Sequence, residues 1–194
     1  MTFEEHLDRW QALHGGVDPR PSAGLLAWLR LMHLLGRRLP LPPDALTGLA
    51  VVAALGVLVV PAWAGALLVL VSALLDGLDG SVAVLRDRVT RRGAVLDGVG
   101  DRVCDLLFVL ALVRAGAPWW LGIACGAGIV LLEGSRLVAG RIGTITVGER
   151  PTRVLATALG LVSVPAVGAA LLGLATAVAA VQLAVAFARP RIVA

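Results

Sequence analysis

The sequence contains no lysine and no tyrosine, so all 17 of its basic residues are arginine. We attribute this bias to a GC-rich genome and not to chemistry. The two cysteines, Cys104 and Cys125, lie in apolar stretches without the spacing of metal ligands, so we expect two buried free thiols and no cysteine metal centre. The three histidines, His6, His14 and His33, all precede the first long apolar stretch, and we expect them at the surface.

A secretory signal is also missing. The first 21 residues are polar, and Glu4, Glu5 and Asp8 stand where a signal peptide would carry a basic segment and an apolar core. We therefore expect no cleavable targeting segment. The sequence shows no internal repeat and no linker that would separate a second large domain. We expect a cytosolic N-terminal segment at residues 1–42 and one membrane domain at residues 43–194.

Long uncharged stretches indicate an integral membrane protein. Hydrophobic residues make up 58% of the sequence, and the mean hydropathy is +0.89, well above the values of soluble domains. Residues 45–75 and 154–188 contain no charge, and each stretch exceeds the roughly 20 residues that one helix needs to cross a bilayer. Pro61 divides the first stretch into two spans, and we place a break in the second between residues 165 and 173.

Two of the predicted spans carry charged residues. The second span has to continue to about Leu85 to be long enough, and the third has to begin near Gly93, because few uncharged residues separate Asp105 from Arg114. A further span is predicted at residues 115–132. The fold class is therefore an all-α integral membrane protein with six transmembrane helices.

A shorter helix is predicted ahead of the first span, with Ser22 as its cap. It is too short and too charged to cross a membrane. An amphipathic helix lying along an anionic membrane surface and a helix packed on the protein's own cytosolic face both fit its pattern. Asp44 or Thr47 is expected to cap the first span.

Arginine is concentrated in alternate loops, and the remaining loops hold only Arg114. By the positive-inside rule, both termini face the cytosol of a multi-pass protein in the inner (plasma) membrane. The pI near 10.8 mainly reflects these flanking arginines, so we expect no nucleic-acid partner. The clusters are Arg30, Arg37 and Arg38; Arg86, Arg88, Arg91 and Arg92; Arg136, Arg141, Arg150 and Arg153; and Arg189 and Arg191.

Residues 76–101 read DGLDGSVAVLRDRVTRRGAVLDGVGD and hold two pairs of aspartates. Asp76 and Asp79 are three residues apart, and Asp97 and Asp101 are four apart, so each pair projects from one face of a helix. A charged carboxylate near hydrocarbon costs at least about 2.5 kcal/mol, and a divalent cation between facing pairs would offset that cost. Ligands that are all oxygen favour Mg²⁺, Mn²⁺ or Ca²⁺ over zinc.

This segment resembles the signature of the CDP-alcohol phosphotransferases of phospholipid synthesis. Seven of the eight signature positions are matched at the required spacing over 26 residues, and Val84 stands where the signature has arginine. The likeness extends more loosely to the six-helix hydropathy pattern. The matched residues are Asp76, Asp79, Gly80, Ala83, Gly93, Asp97 and Asp101.

The resemblance implies a reaction and a cofactor. A CDP-linked lipid such as CDP-diacylglycerol gives its phosphatidyl group to the hydroxyl of a small alcohol, CMP leaves, and Mg²⁺ or Mn²⁺ is required. Asp101 resembles the general base that takes the proton of the acceptor hydroxyl. The other implied assignments are Asp76, Asp79, Asp97 and Asp101 as metal ligands, Gly80, Ala83 and Gly93 as the small residues that admit the cytidine, and Thr47 beside the nucleotide diphosphate.

Valine at position 84 supplies neither the charge nor the hydrogen bonds of arginine. Arg88 lies one helical turn further along, and we expect it to take over the contact with the phosphates. If it does not, the protein is a catalytically impaired member of the family. A cation transporter is a less favoured alternative, because intramembrane aspartates also mark ion pathways but transport does not explain the glycine and alanine spacing.

A basic group follows the fourth span. Arg150 and Arg153 lie in a Glu-Arg-Pro-x-Arg run that resembles a segment of family members using inositol phosphate. With Arg136 they would bind an acceptor phosphate or serve only as membrane-flanking anchors. The acceptor, glycerol phosphate and inositol phosphate among others, stays open, as does the oligomeric state, although homodimers are common in the family. We expect Asp105 only to pair with Arg102 or Arg136, outside the site.

Overall fold

The computed structural model describes residues 1–14, 16–138 and 149–188, and every regular element within these ranges is an α-helix. Arg141, Arg189 and Arg191 lie outside the described residues. The helices are α1 (Phe3–Leu13), α2 (Ala23–Gly36), α3 (Pro43–Gly56), α4 (Ala62–Leu85), α5 (Arg91–Arg114), α6 (Trp119–Val138), α7 (Arg150–Val162) and α8 (Pro165–Ala188).

Prolines set several helix boundaries, as the sequence predicted. Pro61 is the N-cap of α4, and α8 begins at Pro165, at the near edge of the predicted break. The C-terminal end of α4 and the N-terminal start of α5 also lie within two residues of the predicted positions. Pro118 precedes α6, which therefore begins four residues later than the predicted fourth span.

The start of α3 differs from the prediction. Pro42 is the N-cap and makes no side-chain capping bond, so neither Asp44 nor Thr47 caps this helix. Both residues lie inside α3, because Pro43 at the first helical position already has the required φ and needs no acceptor for an N–H. The expectation of a polar cap was wrong.

Helix α1 was not predicted from the sequence. Its start is a capping box: the Thr2 hydroxyl accepts from the Glu5 amide at 3.3 Å, and the Glu5 carboxylate accepts from the Thr2 amide at 2.8 Å. His6 of α1 is fully buried against His33 of α2, with ring centroids 5.2 Å apart. The expectation of surface histidines is wrong for these two and confirmed for the exposed His14.

Helix α2 packs one face on α4. Ser22 caps it as predicted, accepting from the Leu25 amide at 3.3 Å. A Cβ on Gly77 of α4 would lie 2.7 Å from the Trp28 ring, so the glycine allows this close crossing. The other face of α2 exposes large apolar residues, among them Leu31 and Leu34.

The main hydrophobic core contains residues from all six helices between α3 and α8. Phe108, Leu112, Ile129 and Leu172 are among its most buried side chains. Cys104 and Cys125 are buried free thiols within the same core, which confirms their prediction.

Helices α7 and α8 approach each other closely at two glycines. A Cβ on Gly168 would lie 2.5 Å from the Gly160 Cα, so only glycine fits where the two helices meet. The hairpin of α7 and α8 is therefore held backbone to backbone.

The outside of the helical bundle is strongly apolar. Val59, Trp63, Leu131 and Leu174 each expose more than half of their surface. Large apolar surfaces of this kind suit hydrocarbon better than water. By length and composition, Ala62–Leu85 and Pro165–Phe187 are each able to cross a membrane.

Candidate active site

Helices α4 and α5 place the aspartates of the motif. Asp76 and Asp79 occupy the second half of α4. The Thr90 hydroxyl caps α5 by accepting from the Gly93 amide at 3.0 Å, so the helix is already formed where Asp97 and Asp101 follow. The two helices thus present one carboxylate pair each.

Three of the four aspartates form one group. Asp76, Asp97 and Asp101 each offer an oxygen within 4.8 Å of the other two. Neighbouring ligands of an octahedral cation at about 2.1 Å lie about 3 Å apart, so the three carboxylates would have to close by up to about 2 Å around a bound ion. Because the donors are all carboxylate oxygens, the group fits a hard divalent cation and not zinc.

The fourth aspartate has a different partner. The Thr47 hydroxyl donates to Asp79 Oδ2 at 2.5 Å, in a pair that is almost fully buried. Asp79 still lies close enough to Asp76 and Asp97 for their charges to interact. The structure therefore places Asp79 beside the group of three, bound by Thr47, and not among the three converging oxygens.

The small residues of the motif differ in how much open space lies beside them. Gly80 is exposed, and a Cβ there would meet no heavy atom within 4 Å, which leaves open space beside Asp79. Gly93 instead lies against the cap of α5, since its Cβ would be 3.1 Å from Thr90 Oγ1. Ala83 is half-buried on α4. Open space for a flat ligand therefore lies at Gly80.

Sequence reasoning missed the role of Gly100 in this packing. A Cβ there would lie 2.9 Å from Thr47 Cγ2, so the glycine lets α5 approach the threonine that holds Asp79. Its position inside the aspartate motif was the only signal in the sequence.

Arg88 does not stand on the helical face of Val84. Helix α4 ends at Leu85, and Arg88 is an exposed residue of the following turn, where its amide donates to the Ala83 carbonyl at 2.8 Å. Val84 itself is buried, with 4% of its surface exposed. The expectation that Arg88 continues the helix is corrected, because the chain leaves helical geometry at Arg86.

A different arginine reaches the aspartates. Arg150, in the first turn of α7, places Nη1 2.8 Å from Asp76 Oδ1 and also contacts Asp101 Oδ1. Both are ion-pair contacts without the angles of a hydrogen bond. The Arg150 side chain is 14% exposed, so its charge is largely withdrawn from water and directed at the carboxylates.

Six further charged residues form a network behind the site, which we call the charge network; Arg102 and Glu149 are partly exposed and the other four are largely buried. Asp105, only 2% exposed, is contacted by Arg102 at 3.2 Å and by Arg153 at 2.9 Å, and not by Arg136 as one expectation had it. Glu133 is contacted by three arginines at distances of 3.2 to 3.6 Å. The members of the charge network are Arg102, Asp105, Glu133, Arg136, Glu149 and Arg153.

In the charge network, Arg136 and Arg153 are already paired with carboxylates, which bears on the expectation that they bind an acceptor phosphate. Arg136 and Arg153 are buried, with 5% and 4% of their surface exposed, and their guanidinium groups bind Glu133, Glu149 and Asp105. Of the three arginines named from the sequence, Arg150 is the one that contacts the aspartates of the motif.

An apolar cavity of about 490 Å³ between α6 and α8 lies apart from this site. Leu121, Gly128, Thr176 and Leu183 are among the residues that line it, and none of its lining residues belongs to the motif. The candidate active site is therefore defined by its charged groups and not by that cavity.

Comparisons with known proteins agree with the geometry. The sequence model of the family described as CDP-alcohol phosphatidyltransferase matches residues 41–188. An archaetidylinositol phosphate synthase of Aeropyrum pernix is 36% identical over 131 residues, which cover 55% of this chain and 67% of that protein. A bifunctional IPC transferase and DIPP synthase of Aquifex aeolicus is 45% identical over 56 residues, which cover 29% of this chain and only 13% of that protein.

Proposed function

The chain belongs to the CDP-alcohol phosphatidyltransferase family, and we propose that it transfers the phosphatidyl group of a CDP-linked lipid such as CDP-diacylglycerol to the hydroxyl of a small phosphorylated alcohol. The observation that carries this proposal is the convergence of Asp76, Asp97 and Asp101 with Arg150 beside them. Carboxylates and a guanidinium together can hold a cation and a phosphate at one place.

The family generally depends on divalent metal, and we assign Mg²⁺ or Mn²⁺ to this group of aspartates. A cation bound there supplies Lewis-acid polarisation of the diphosphate and neutralises its charge. Asp76, Asp97 and Asp101 hold the cation, and Asp79, fixed by Thr47, completes the negative field around it. Gly80 leaves room beside the carboxylates for the cytidine, with Ala83 and Gly93 on the two flanking helices.

Asp101 is assigned as the general base. The acceptor oxygen forms a bond to the phosphorus that carries the lipid, the bond from that phosphorus to the CMP oxygen breaks, and the hydroxyl proton passes to the Asp101 carboxylate. Asp101 is 23% exposed, more than Asp76 at 15%, so an acceptor arriving from water can reach it.

Arg150 is assigned to the phosphate of the acceptor. It makes closer contacts with the aspartate group than Arg102, which lies 3.9 Å from Asp101, and guanidinium groups bind phosphate through paired donors. The name of the Aeropyrum relative, archaetidylinositol phosphate synthase, supports inositol phosphate as the first acceptor to test. Arg150 also supplies the positive charge that the buried Val84 lacks, and Arg88 is a weaker candidate because it lies in the exposed turn.

For membrane topology we propose that α3 to α8 form six crossings of the inner (plasma) membrane, with residues 1–42 in the cytosol. Helices α3 and α7 have 14 and 13 residues, so residues that flank them complete those two crossings. The turn between α4 and α5 carries two arginines, α5 begins with two more and the first turn of α7 holds two, whereas the turn between α5 and α6 adjoins only Arg114. By the positive-inside rule, the aspartate group faces the cytosol.

Release of CMP tests the function. Purified protein in detergent is incubated with CDP-diacylglycerol, Mn²⁺ or Mg²⁺, and inositol phosphate, glycerol phosphate, serine or no acceptor. We expect release that depends on a phosphorylated acceptor and that stops when the metal is chelated. Metal-dependent binding of the CDP-lipid without release under any acceptor would instead identify a catalytically impaired family member, and release without an acceptor would identify a hydrolase.

A further inference from the structure

Asp105 is a buried carboxylate that the proposed reaction does not use. It follows Asp101 by one turn of α5, and only 1% of its side chain is exposed. Its Oδ2 lies 3.2 Å from Arg102 Nη1 and 2.9 Å from Arg153 Nη1. A carboxylate so deeply withdrawn from water requires paired charge, which both arginines supply.

Two ion pairs connect α5 to the first turn of α7. Arg150 contacts Asp101, and Arg153 contacts Asp105. Arginines three residues apart on α7 and aspartates four residues apart on α5 each lie on one helical face, so the two pairs form successive rungs between the helices. The outer rung is at the aspartate group, and the inner rung is the more deeply buried.

The inner rung is held more firmly than the outer one. Arg153 also donates to Glu133 at 3.3 Å, and Glu133 is bound in turn by Arg136 and Arg102. The start of α7 has no side-chain capping bond of its own, since Glu149 at the N-cap position binds Arg136 at 2.7 Å instead. The position of the first turn of α7 therefore depends on the charge network.

We propose that Asp105 is a positioning residue: by binding Arg153, it fixes the register of α7 on α5 so that Arg150 reaches Asp76 and Asp101. This inference rests on the proposed function, because it assigns the placement of Arg150 within that site. Loss of the inner rung leaves the α7 turn free to shift and withdraws the Arg150 charge from the carboxylates.

Loss of the Asp105 charge is expected to strengthen metal binding and to weaken the use of the acceptor. A guanidinium beside Asp76 and Asp101 opposes a divalent cation at the same oxygens. In Asp105→Asn, withdrawal of Arg150 should tighten Mn²⁺ binding about fivefold, read by electron paramagnetic resonance titration, while the KM of the phosphorylated acceptor rises about tenfold or more. Direct loss of a nearby negative charge would weaken Mn²⁺ binding, so the sign separates the two effects.

A double-mutant cycle identifies Arg150 as the intermediary. Arg150→Gln alone should also tighten Mn²⁺ binding about fivefold, and adding Asp105→Asn to it should change the affinity less than twofold, because the charge to be withdrawn is already gone. Arg9→Gln serves as the matched control, since it breaks an exposed ion pair of 2.7 Å with Asp87 and Arg9 belongs to α1, which does not contact α7. That variant should keep wild-type metal affinity and KM.

A buried arginine without its partner can prevent folding, so Asp105→Asn is also made together with Arg153→Gln. This pair removes both charges of the inner rung; Asp105→Asn keeps the side-chain size, and Arg153→Gln shortens the side chain while keeping a polar amide. Tighter Mn²⁺ binding with a raised acceptor KM in the folded pair supports the positioning role. Wild-type values, or a parallel loss of metal binding and turnover, would overturn it. The titration needs no turnover, so absence of CMP release from wild-type protein would count against the proposed function alone.

Discussion

Asp101 has two roles in the proposed reaction, as one of three cation-binding carboxylates and as the acceptor of a proton. Its oxygens contact Arg150 on one side and lie 3.9 Å from Arg102 on the other. A base needs a free oxygen beside the cation, whereas a ligand needs only charge. Asp97, on the same face of α5, has the ligand role alone.

The two roles separate by substitution. Asp101→Asn should lower the rate of CMP release at least about 100-fold, because an amide cannot take the proton. It should change the Mn²⁺ affinity less than Asp97→Asn does, because in the proposed reaction Asp97 serves only as a metal ligand. Titration of Mn²⁺ and a CMP assay on both variants check this, and an Asp101→Asn protein with normal turnover would remove the general-base assignment.

Single residues show why the sequence predicted part of the site. Asp97 and Asp101 lie on one face of α5 because of their four-residue spacing, which the sequence shows, whereas their approach to Asp76 depends on how α4 and α5 pack. The bond of Thr47 to Asp79 joins positions 32 residues apart, and its partner could not be deduced from spacing. Asp105 continues the same four-residue series, but its contact with Arg153 depends on how α7 packs on α5.

Among the elements, α1 is docked through histidines that stay neutral. Burial, and then the charge of His33, lowers the pKa of His6 from 6.5 to about 4. Burial, and then the charges of Arg37 and the N-terminal amine, lowers the pKa of His33. Two other cations face this junction, with Arg30 over the Phe3 ring and Arg9 paired to Asp87.

Acid should therefore undock α1. An undocked His6 binds a proton near pH 6.5 and the docked one only near pH 4, so the docking free energy is fully present above pH 6.5 and decreases as the pH falls through that interval. Hydrogen exchange of the α1 amides at pH 7 and pH 5 measures it. His6→Leu should reduce the pH dependence to the part that the buried His33 contributes, and His14→Gln, on the exposed face, should retain all of it; equal acid sensitivity in His6→Leu would contradict the assignment.

Helix ends were predicted well where proline or a cap is decisive. Pro61, Pro165 and Ser22 mark boundaries that the structure confirms. Helix α1 was not predicted, although Thr2 and Glu5 have the capping-box spacing. Most of its residues are polar, and it buries only one face, so its hydrophobic pattern is weak.

For the whole molecule, the proposed orientation can be measured by cysteine labelling. The native cysteines are buried, so a membrane-impermeant maleimide should find little background. Val89→Cys, in the exposed turn between α4 and α5, should react only from the cytosolic side of membrane vesicles. Ala115→Cys, at the opposite end of α5, should react only from the other side. Labelling of both from one side would show that α5 does not cross.

The pairing of α5 with α7 also has a consequence for biosynthesis. Helix α5 leaves the ribosome with Asp105 unneutralised by α7, because Arg153 follows 48 positions later. At a synthesis rate of about 5 to 20 residues per second, that interval is roughly 2 to 10 seconds. Helix α7 has only 13 residues and begins with two arginines, so it is a poor substrate for insertion by itself. Under the proposed topology we therefore expect α5 and α7 to enter the lipid together, after α7 has been synthesised.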